Sequence, residues 1–485
     1  MPPVKWVCVS DMHLGALNSV LTAVEPDGER VDKSGVSPVM EALCAGLRSL
    51  RRPGEDPPQL VVLGDLFELA LSSTDDAAHT FTQFVKGLRP GSPDAAVIPE
   101  IRFLAGNHDH HFWTRARAHH YVEYLADLPH DQPLGPDEHT SHLLPENDTV
   151  QFRDRMIELL AARAEPAAPV TVLHSYPNYG IVSASAERVV VLSHGHFVEP
   201  LYRLMSLLNV VFDREAPEAV IDSQLEAVNG AWIDFFWSSM GDSGDVGTTV
   251  RSIYESLQSE KDMDAEIKAI RRAIARGMKG HTTLRSRAAA FAVGKILESG
   301  VTAAIRRERH TPTLLSPNAK EGLTAFVNGP VAQQVHDEVG SPRRATFVFG
   351  HTHKPFVEPQ SFDAFPMPVS VVNTGGWVVD TPQPEPVKGA SVVLVDEDLN
   401  VAVLRCYVQG DDTAYRVNLA SGNASETNPL LDELHAAIDP TKDPWAALGQ
   451  ATENTVAERG KQLTLRLAED TKTLEASYAP TAGVH

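Results

Sequence analysis

The segment 4–13, VKWVCVSDMH, sets a pattern that the rest of the chain repeats. Its apolar run, Val4–Val9, predicts a buried strand, and Asp11 and His13 follow directly after it. Because side chains alternate along an extended segment, with Met12 pointing away, both polar residues can face one side and bind one metal ion. An Asp-x-His pair is weak evidence alone, since a surface aspartate beside a structural histidine has the same sequence.

Four further clusters follow apolar runs in the same way. Each run predicts a buried strand, so the polar side chains are expected together at the carboxyl ends of strands, where α/β sheets build their sites. The sequence therefore predicts an α/β fold with one site at the strand ends. The runs are 60–63, 101–104, 189–192 and 346–348, and the clusters are Gly64-Asp65-Leu66-Phe67-Glu68, Gly106-Asn107-His108-Asp109, His194-Gly195-His196 and Gly350-His351-Thr352-His353.

The second and third clusters favour metal binding, although each has an ordinary alternative. Asp65 follows a glycine that lets a metal or backbone approach closely, and its two carboxylate oxygens can bridge two cations. It is equally suited to cap a helix over 66–71. Asn107 offers a carbonyl oxygen and His108 an imidazole on the opposite side of the segment, although Gly-Asn is also common in turns.

The last two clusters add imidazoles in glycine-flanked pairs. A lone histidine is usually structural, but His194, His351 and His353 share the strand-end setting, which favours metal ligation. Imidazole suits borderline metals such as Zn, Mn and Fe better than it suits Mg or Ca. The joint pattern therefore predicts a metal site.

In these five clusters, taken in order, the chain resembles the calcineurin-like metallophosphoesterase superfamily, over residues 5–196 and 345–407. The resemblance implies a four-layer α/β/β/α sandwich with two divalent metal ions at the strand ends, Mn first, with Zn, Fe or Mg as alternatives. The implied ligands are Asp11, His13, Asp65 and His353 for one metal, and Asp65, Asn107, His194 and His351 for the other, with Asp65 bridging.

The same resemblance implies a mechanism. Two dications roughly 3.5–4 Å apart lower the pKa of a bridging water, so that a hydroxide attacks the phosphorus in line. His108 matches the family's substrate-facing histidine and is expected to act as a general acid toward the leaving oxygen, a role typically worth about 10²–10⁴-fold. Glu68 falls where the family places the carboxylate that orients this histidine. Asp109 and His196 match motif positions with weaker roles.

Domain boundaries are predicted where the pattern of clusters is interrupted. The long interval after His196 predicts a helical insertion that forms a lid, with helices over 255–276 and 282–309 and a flexible loop at 241–247. The tail predicts helices over 430–437 and 452–476, either docked on the core or used for self-association. The predicted domains are 1–196 (first part of the catalytic core), 197–344 (insertion), 345–410 (closing strands of the core) and 411–485 (helical C-terminal extension).

Two apolar stretches of the insertion, 201–212 and 231–240, come soon after His194. Packing inside the insertion is the simpler interpretation, and a groove that binds an acyl chain or an aromatic group is the more specific functional one. The sequences GDLFE at 64–68 and GHTHKP at 350–355, with the helical insertion, are similar to the lipid A pathway UDP-diacylglucosamine hydrolases, whose cap holds acyl chains. The present insertion is longer than theirs.

Three residues near the clusters are candidates for substrate contact. Arg115 and Lys354 could meet a phosphate, since a guanidinium offers a planar fork and an ammonium a point charge. A solvated helix charge is the alternative for Arg115. His174 ends an apolar run at 170–173 and could line the cleft with Tyr176.

The composition limits partners and location. Lys and Arg number 42 against 64 Asp and Glu, a net charge of −22 that disfavours extended nucleic acid. Three cysteines without a Cys-x-x-Cys spacing fit a reducing compartment. Without a signal peptide or a membrane-spanning apolar stretch, the sequence predicts a cytoplasmic protein. Peripheral membrane contact and the oligomeric state stay open.

The predicted function is a metal-dependent phosphoesterase that hydrolyses a phosphate ester or pyrophosphate on a small-molecule, nucleotide or lipid-linked substrate. A phosphoprotein phosphatase is the alternative enzyme, because acidic walls would suit basic peptides. A non-catalytic metal-binding scaffold is the alternative of another class. Against the scaffold, a binding module has no need of His108 and Glu68 beside a full ligand set.

Overall fold

The computed structural model describes residues 4–52, 54–135, 137–148, 151–206, 221–238, 313–409, 415–423 and 427–478. These residues form a mixed α/β structure with two mixed sheets, which confirms the α/β class predicted from the strand pattern. The helices predicted over 255–276 and 282–309 and the loop predicted at 241–247 lie outside the described residues.

Strands and helices alternate over residues 4–127, and the later strands and helices come in runs. The strands are β1 Val4–Val9, β2 Gln59–Leu63, β3 Glu100–Leu104, β4 Thr171–His174, β5 Asn178–Val182, β6 Arg188–Ser193, β7 Arg344–Phe349, β8 Phe356–Gln360, β9 Val369–Asn373, β10 Gly389–Asp396, β11 Val401–Val408 and β12 Asn418–Ser421. The helices are α1 Pro38–Ser49, α2 Thr74–Leu88, α3 His110–Asp127, α4 Arg155–Ala162, α5 Asp222–Ile233, α6 Pro317–Phe326, α7 Ala332–Glu338, α8 Pro429–Ala437 and α9 Trp445–Tyr478.

Parallel strands in each sheet bring the site residues to one edge. The larger sheet has the order β12-β11-β10-β1-β2-β3-β4, in which β1 to β4 run parallel. The smaller sheet has the order β5-β6-β7-β9-β8, in which β6, β7 and β9 run parallel. The five strands predicted before the polar clusters are confirmed as β1, β2, β3, β6 and β7.

Successive side chains of the central strands belong to two different apolar clusters, as the period of a strand requires. In β1, Val7 and Val9 belong to a cluster that includes helix residues, whereas Cys8 belongs to a second cluster. That second cluster also contains Val190 and Leu192 of β6, so it joins the two sheets. The sheets therefore pack against each other through alternate side chains.

The C-terminal extension docks on the core, which was one of its two predicted alternatives. α9 packs along α1, where a Cβ on Gly46 would lie 2.6 Å from the ring of Trp445. Arg459 is 4 % exposed and donates to the backbone carbonyl oxygen of Thr22 at 2.8 Å. α8 matches the helix predicted over 430–437, whereas α9 begins seven residues before the one predicted from position 452.

Two further properties concern the chain as a whole. Cys8, Cys44 and Cys406 are buried free thiols. Within the part of the chain that the structure describes, every helix is too short or too polar to cross a membrane.

Candidate metal centre

The five polar clusters converge where the strand ends of the two sheets meet. The side chains come from both sheets, and most of them are buried; His351 and His353 are half-buried. Asp11 and His13 follow β1, Asp65 follows β2, Asn107 and His108 follow β3, His194 follows β6, and His351 and His353 follow β7.

Five of the seven predicted ligands have a left-handed backbone, which is uncommon for residues other than glycine. Such conformations cost about 1–3 kcal/mol each and persist only where the surrounding structure holds them, as at functional sites. The φ angles are 49° for Asp11, 45° for His13, 50° for Asp65, 68° for His351 and 58° for His353.

Two glycines let the clusters approach each other. A Cβ on Gly106 would collide with the carboxylate of Asp65, and a Cβ on Gly350 would collide with that of Asp11. The glycines in the third and fifth clusters are therefore required by the closeness of the neighbouring carboxylates.

The alternative of Asp65 as a helix cap is wrong. The helix that follows, α2, begins at Thr74 and is capped by Ser73. The segment 65–67 is irregular, and its backbone N–H groups donate to the Asp109 carboxylate at 2.8–3.3 Å. Burial raises the pKa of Asp109 to about 6, although these N–H groups act in the opposite direction. Asp109 thus joins the second cluster to the third.

The first group of predicted ligands surrounds a point between β1 and β7. Nε2 of His13 lies 3.2 Å from Nε2 of His353, which lies 3.4 Å from Oδ1 of Asp11. Oδ2 of Asp65 lies 3.8 Å from Nε2 of His13. These four side chains are the set that the sequence assigned to one metal.

The second group surrounds Nε2 of His194. This atom lies 3.0 Å from Oδ1 of Asn107, 3.2 Å from Nδ1 of His351 and 3.5 Å from Oδ2 of Asp65. The other nitrogen of His194, Nδ1, donates to the carbonyl oxygen of Leu63 at 2.8 Å. Asp65 therefore lies between the two groups, where a bridging ligand is expected.

The tautomers of the first group favour a bound cation. Nδ1 of His13 is 2.9 Å from Glu68, and Nδ1 of His353 is 2.8 Å from Asp380, so each Nδ1 carries the hydrogen that it donates. Burial lowers the pKa of His353, but Asp380 and Asp11 raise it to about 9, so without a metal a proton lies between the two Nε2 atoms, which are 3.2 Å apart. A metal ion would take the place of that proton and bind both Nε2 lone pairs. These buried imidazoles and carboxylates could hold metal ions.

Burial shifts the pKa values of the central groups, and a metal ion would compete with the protons that they hold. Burial raises the pKa of Asp65 well above its usual value, and the nearby carboxylates Asp109 and Asp11 raise it further, so a metal ion that binds here would displace a proton from this carboxyl. Burial lowers the pKa of His194 to about 3, which keeps the imidazole neutral. Imidazole, carboxylate and amide oxygen together suit borderline divalent metals.

His108 is held by a carboxylate that also holds His13. Oε1 of Glu68 lies 2.8 Å from Nδ1 of His108, and Oε2 lies 2.9 Å from Nδ1 of His13. The N–H groups of Ala70 and Leu71 fix the same carboxylate at 3.0 Å. Burial lowers the pKa of His108, with Glu68 acting in the opposite direction. One glutamate thus orients both histidines.

Two further carboxylates of the centre were missed by the sequence analysis. Asp380 accepts from His353 at 2.8 Å and lies 3.4 Å from Nζ of Lys388. Oε1 of Glu199 lies 3.4 Å from Nε2 of His351, which favours a hydrogen on that nitrogen. Neither residue belongs to a motif, so only the folded chain reveals them.

The three candidates for substrate contact lie against other protein groups. Lys354 is fully buried and His174 is 1 % exposed, whereas Arg115 lies on α3. A role in substrate binding remains a prediction for all three. Their partners are the sulfur of Met156 for Arg115 at 2.8 Å, the carbonyl oxygen of Thr313 for Lys354 at 3.1 Å, and the carboxylate of Asp154 for His174 at 2.8 Å.

Neither a model of a known protein family nor a curated protein matches this sequence. The function of the site is therefore inferred from its own residues and their geometry.

Proposed function

We propose that this protein is a dinuclear-metal-dependent phosphoesterase of the calcineurin-like superfamily, with that family's four-layer α/β/β/α arrangement. The observation that carries the proposal is the pairing of imidazole nitrogens 3.2 Å apart, twice, on either side of the Asp65 carboxylate. A site built only for structural histidines would have no reason to hold five of its residues in a strained backbone.

The residues fit two divalent ions. Mn is our first choice, with Zn, Fe or Mg as alternatives, because the donor set combines imidazole nitrogens with carboxylate and amide oxygens. The ligand sets that we propose are Asp11, His13, Asp65 and His353 for one ion, and Asp65, Asn107, His194 and His351 for the other.

The chain itself supplies the acid and its orientation. When bound, two dications generate a nucleophile from water near neutral pH and neutralise phosphoryl charge. Glu68 engages Nδ1 of His108 at 2.8 Å, so Nε2 is the nitrogen that would give a proton to the leaving oxygen. A positioned general acid of this kind contributes about 10²–10⁴-fold.

The proposed substrate is a phosphate ester or pyrophosphate on a small molecule, a nucleotide or a lipid-linked group. His108 is only 5 % exposed, which favours a small ester over a phosphorylated protein chain. The proposal locates this activity in the cytoplasm, supported by the three buried free thiols.

The test is hydrolysis of p-nitrophenyl phosphate and bis-p-nitrophenyl phosphate by EDTA-treated protein after addition of Mn²⁺, Zn²⁺, Fe²⁺ or Mg²⁺. We expect turnover that a metal restores, that Asp65→Ala abolishes, and that the exposed control Asp363→Ala leaves intact. His108→Asn should retain metal by elemental analysis and lose about 10²-fold or more in kcat on phenyl phosphate, because phenolate is a more basic leaving group than p-nitrophenolate and needs the proton. Full turnover by this variant would remove His108 from the acid role.

Two bound ions without turnover of either ester would instead support the metal-binding scaffold. Comparison of the two esters separates a monoesterase from a diesterase.

A further inference from the structure

Inserted residues cover one side of the candidate metal centre, and acidic side chains anchor them there. Asp222, at the start of α5, accepts from the Asn178 amide at 2.8 Å. Glu226, one turn further, is 2 % exposed and lies 3.1 Å from Nε2 of His110 and 3.0 Å from the hydroxyl of Tyr176. Because all these partners are buried core residues, α5 occupies a fixed position beside the third cluster.

The segment that continues α5, Asp234–Ser238, is tied directly to the backbone of the third cluster. Asp234 lies 2.9 Å from Nδ1 of His111. The hydroxyl of Ser238 accepts from the His111 N–H at 2.9 Å and donates to the carbonyl oxygen of His108 at 3.3 Å. The position of Trp237, between these two anchors, is therefore set relative to His108.

Two aromatic rings of the insertion span the centre from the candidate acid to a candidate ligand. The ring of Trp237 is tilted against His108, with centroids 6.1 Å apart, and lies 5.6 Å from the ring of Tyr202. Tyr202 in turn meets His351 edge to face at 4.9 Å. Trp237 is 5 % exposed and Tyr202 is 4 % exposed. We call this pair of rings the aromatic wall.

We propose that the aromatic wall receives the leaving group of the substrate and selects phosphate esters whose leaving group carries a planar ring. The inference rests on the proposed function. A leaving oxygen that takes its proton from His108 must lie beside this ring, so the group attached to that oxygen must pass Trp237. Offset and edge-to-face contacts between rings add about 0.5–1.5 kcal/mol beyond the burial of apolar area.

The described wall suits a ring better than a long acyl chain. Among the described residues two rings form it, and Asp234, three residues before Trp237, pairs with the buried His110 and with His111. A long alkyl chain would require a continuous apolar groove, whereas a single ring is accommodated by two aromatic side chains.

The experiment compares kcat/KM for 2-phenylethyl phosphate and pentyl phosphate, whose leaving alcohols are both primary and of comparable hydrophobicity. We expect the wild type to prefer the phenyl ester roughly three- to tenfold, as the ring contact alone would give. In Trp237→Leu the ratio of kcat/KM for the phenyl ester to that for the pentyl ester should fall close to one, and Trp237→Phe should keep most of the wild-type preference. Circular dichroism checks that both variants are folded.

Phe235→Leu is the matched control, because Phe235 lies two residues before Trp237 and is 68 % exposed. Its ratio should equal that of the wild type. A preference for the pentyl ester, equal rates in the wild type, or an unchanged ratio in Trp237→Leu would overturn the inference alone. Failure to hydrolyse both p-nitrophenyl phosphate and bis-p-nitrophenyl phosphate with any of the four metals would overturn the proposed function, and this inference with it.

Discussion

Each imidazole of the candidate centre is held through the nitrogen that faces away from the ligand group. The partners are the Glu68 carboxylate for His13, the Asp380 carboxylate for His353 and the Leu63 carbonyl for His194. Such partners fix the tautomer and the ring orientation, and they raise the basicity of the ligand. The strength of metal binding is therefore expected to depend on residues that touch no metal.

Asp380→Asn tests this dependence. The variant removes the negative charge behind His353 and leaves Lys388 without its carboxylate at 3.4 Å. We expect metal affinity to fall about 10–100-fold, measured by competition with a chelator of known affinity. Asp398→Asn, at an exposed position, should bind metal like the wild type. Unchanged affinity in Asp380→Asn would contradict the role of this carboxylate.

Asp222 should make stability depend on pH. Burial raises its pKa to about 7, above the unfolded value of about 3.9. The folded state therefore binds this proton more tightly, and stability falls as the pH rises from about 4 to about 7. Asp222→Asn removes the charge, so its free energy of unfolding relative to wild type should rise by about 1.4 kcal/mol per pH unit over that range.

Urea unfolding of both proteins at pH 5 and pH 8 measures this difference. The free energy of unfolding of the variant, relative to that of the wild type, should be higher at pH 8 than at pH 5, since the Asp222 carboxylate of the wild type is charged at pH 8. An equal difference at both pH values would mean that Asp222 does not hold its proton in the folded state.

At the scale of elements, α5 and the segment Asp234–Ser238 connect the insertion to the core through acidic side chains. The sequence predicted the overlapping stretch 231–240 to be apolar, either packing inside the insertion or lining a groove. The structure adds that Asp222, Glu226 and Asp234 anchor it. The partners of Glu226 and Asp234, His110 and His111, follow the third cluster directly, so these two histidines hold the insertion.

Glu226→Gln should loosen this attachment. Burial lowers the pKa of His110, but Glu226 and Asp234 together raise it to about 9, so the histidine is charged and the variant leaves it with a weaker partner. Loss of a buried charged hydrogen bond costs about 1–3 kcal/mol. We expect faster hydrogen exchange in residues 221–238, with Phe235→Leu, at an exposed position, as the control. Unchanged hydrogen exchange would show that other contacts are enough to hold α5 and residues 234–238 on the core.

The elements differ in how far the sequence could predict them. The ligands could be predicted from the sequence because each lies within a few residues of a strand end, and apolar periodicity locates strands. Asp380 could not be predicted, because it lies 27 residues after His353 and belongs to no motif. The helix proposed after Asp65 failed because Asp109, distant in sequence, takes the backbone N–H groups that a helix would have used.

At the scale of the whole molecule, the candidate centre joins two sheets. Asp11, His13, Asp65 and Asn107 come from the larger sheet, and the three ligand histidines that remain come from the smaller one. A bound ion would therefore contact both sheets at once. Metal binding should then stabilise the fold as a whole, since the unfolded chain offers no such site.

Removal of metal should lower the melting temperature. A ligand at 100 times its dissociation constant stabilises the native state by about 2.7 kcal/mol, so we expect a shift of several degrees between EDTA-treated and Mn²⁺-loaded protein. Differential scanning calorimetry measures the shift. Asp65→Ala should show little of it, and an equal shift in that variant would mean that the ion binds elsewhere.

The position of the insertion also has an evolutionary consequence. β6 and β7 are neighbours in register, from Arg188 opposite Arg344 to Leu192 opposite Val348, and the long inserted segment leaves after one and returns before the other. Hydrogen bonding between the two strands holds the ends of that segment in place whatever its length. The intervening segment can therefore change in length and sequence during evolution while the strand ends that carry the candidate ligands keep their positions.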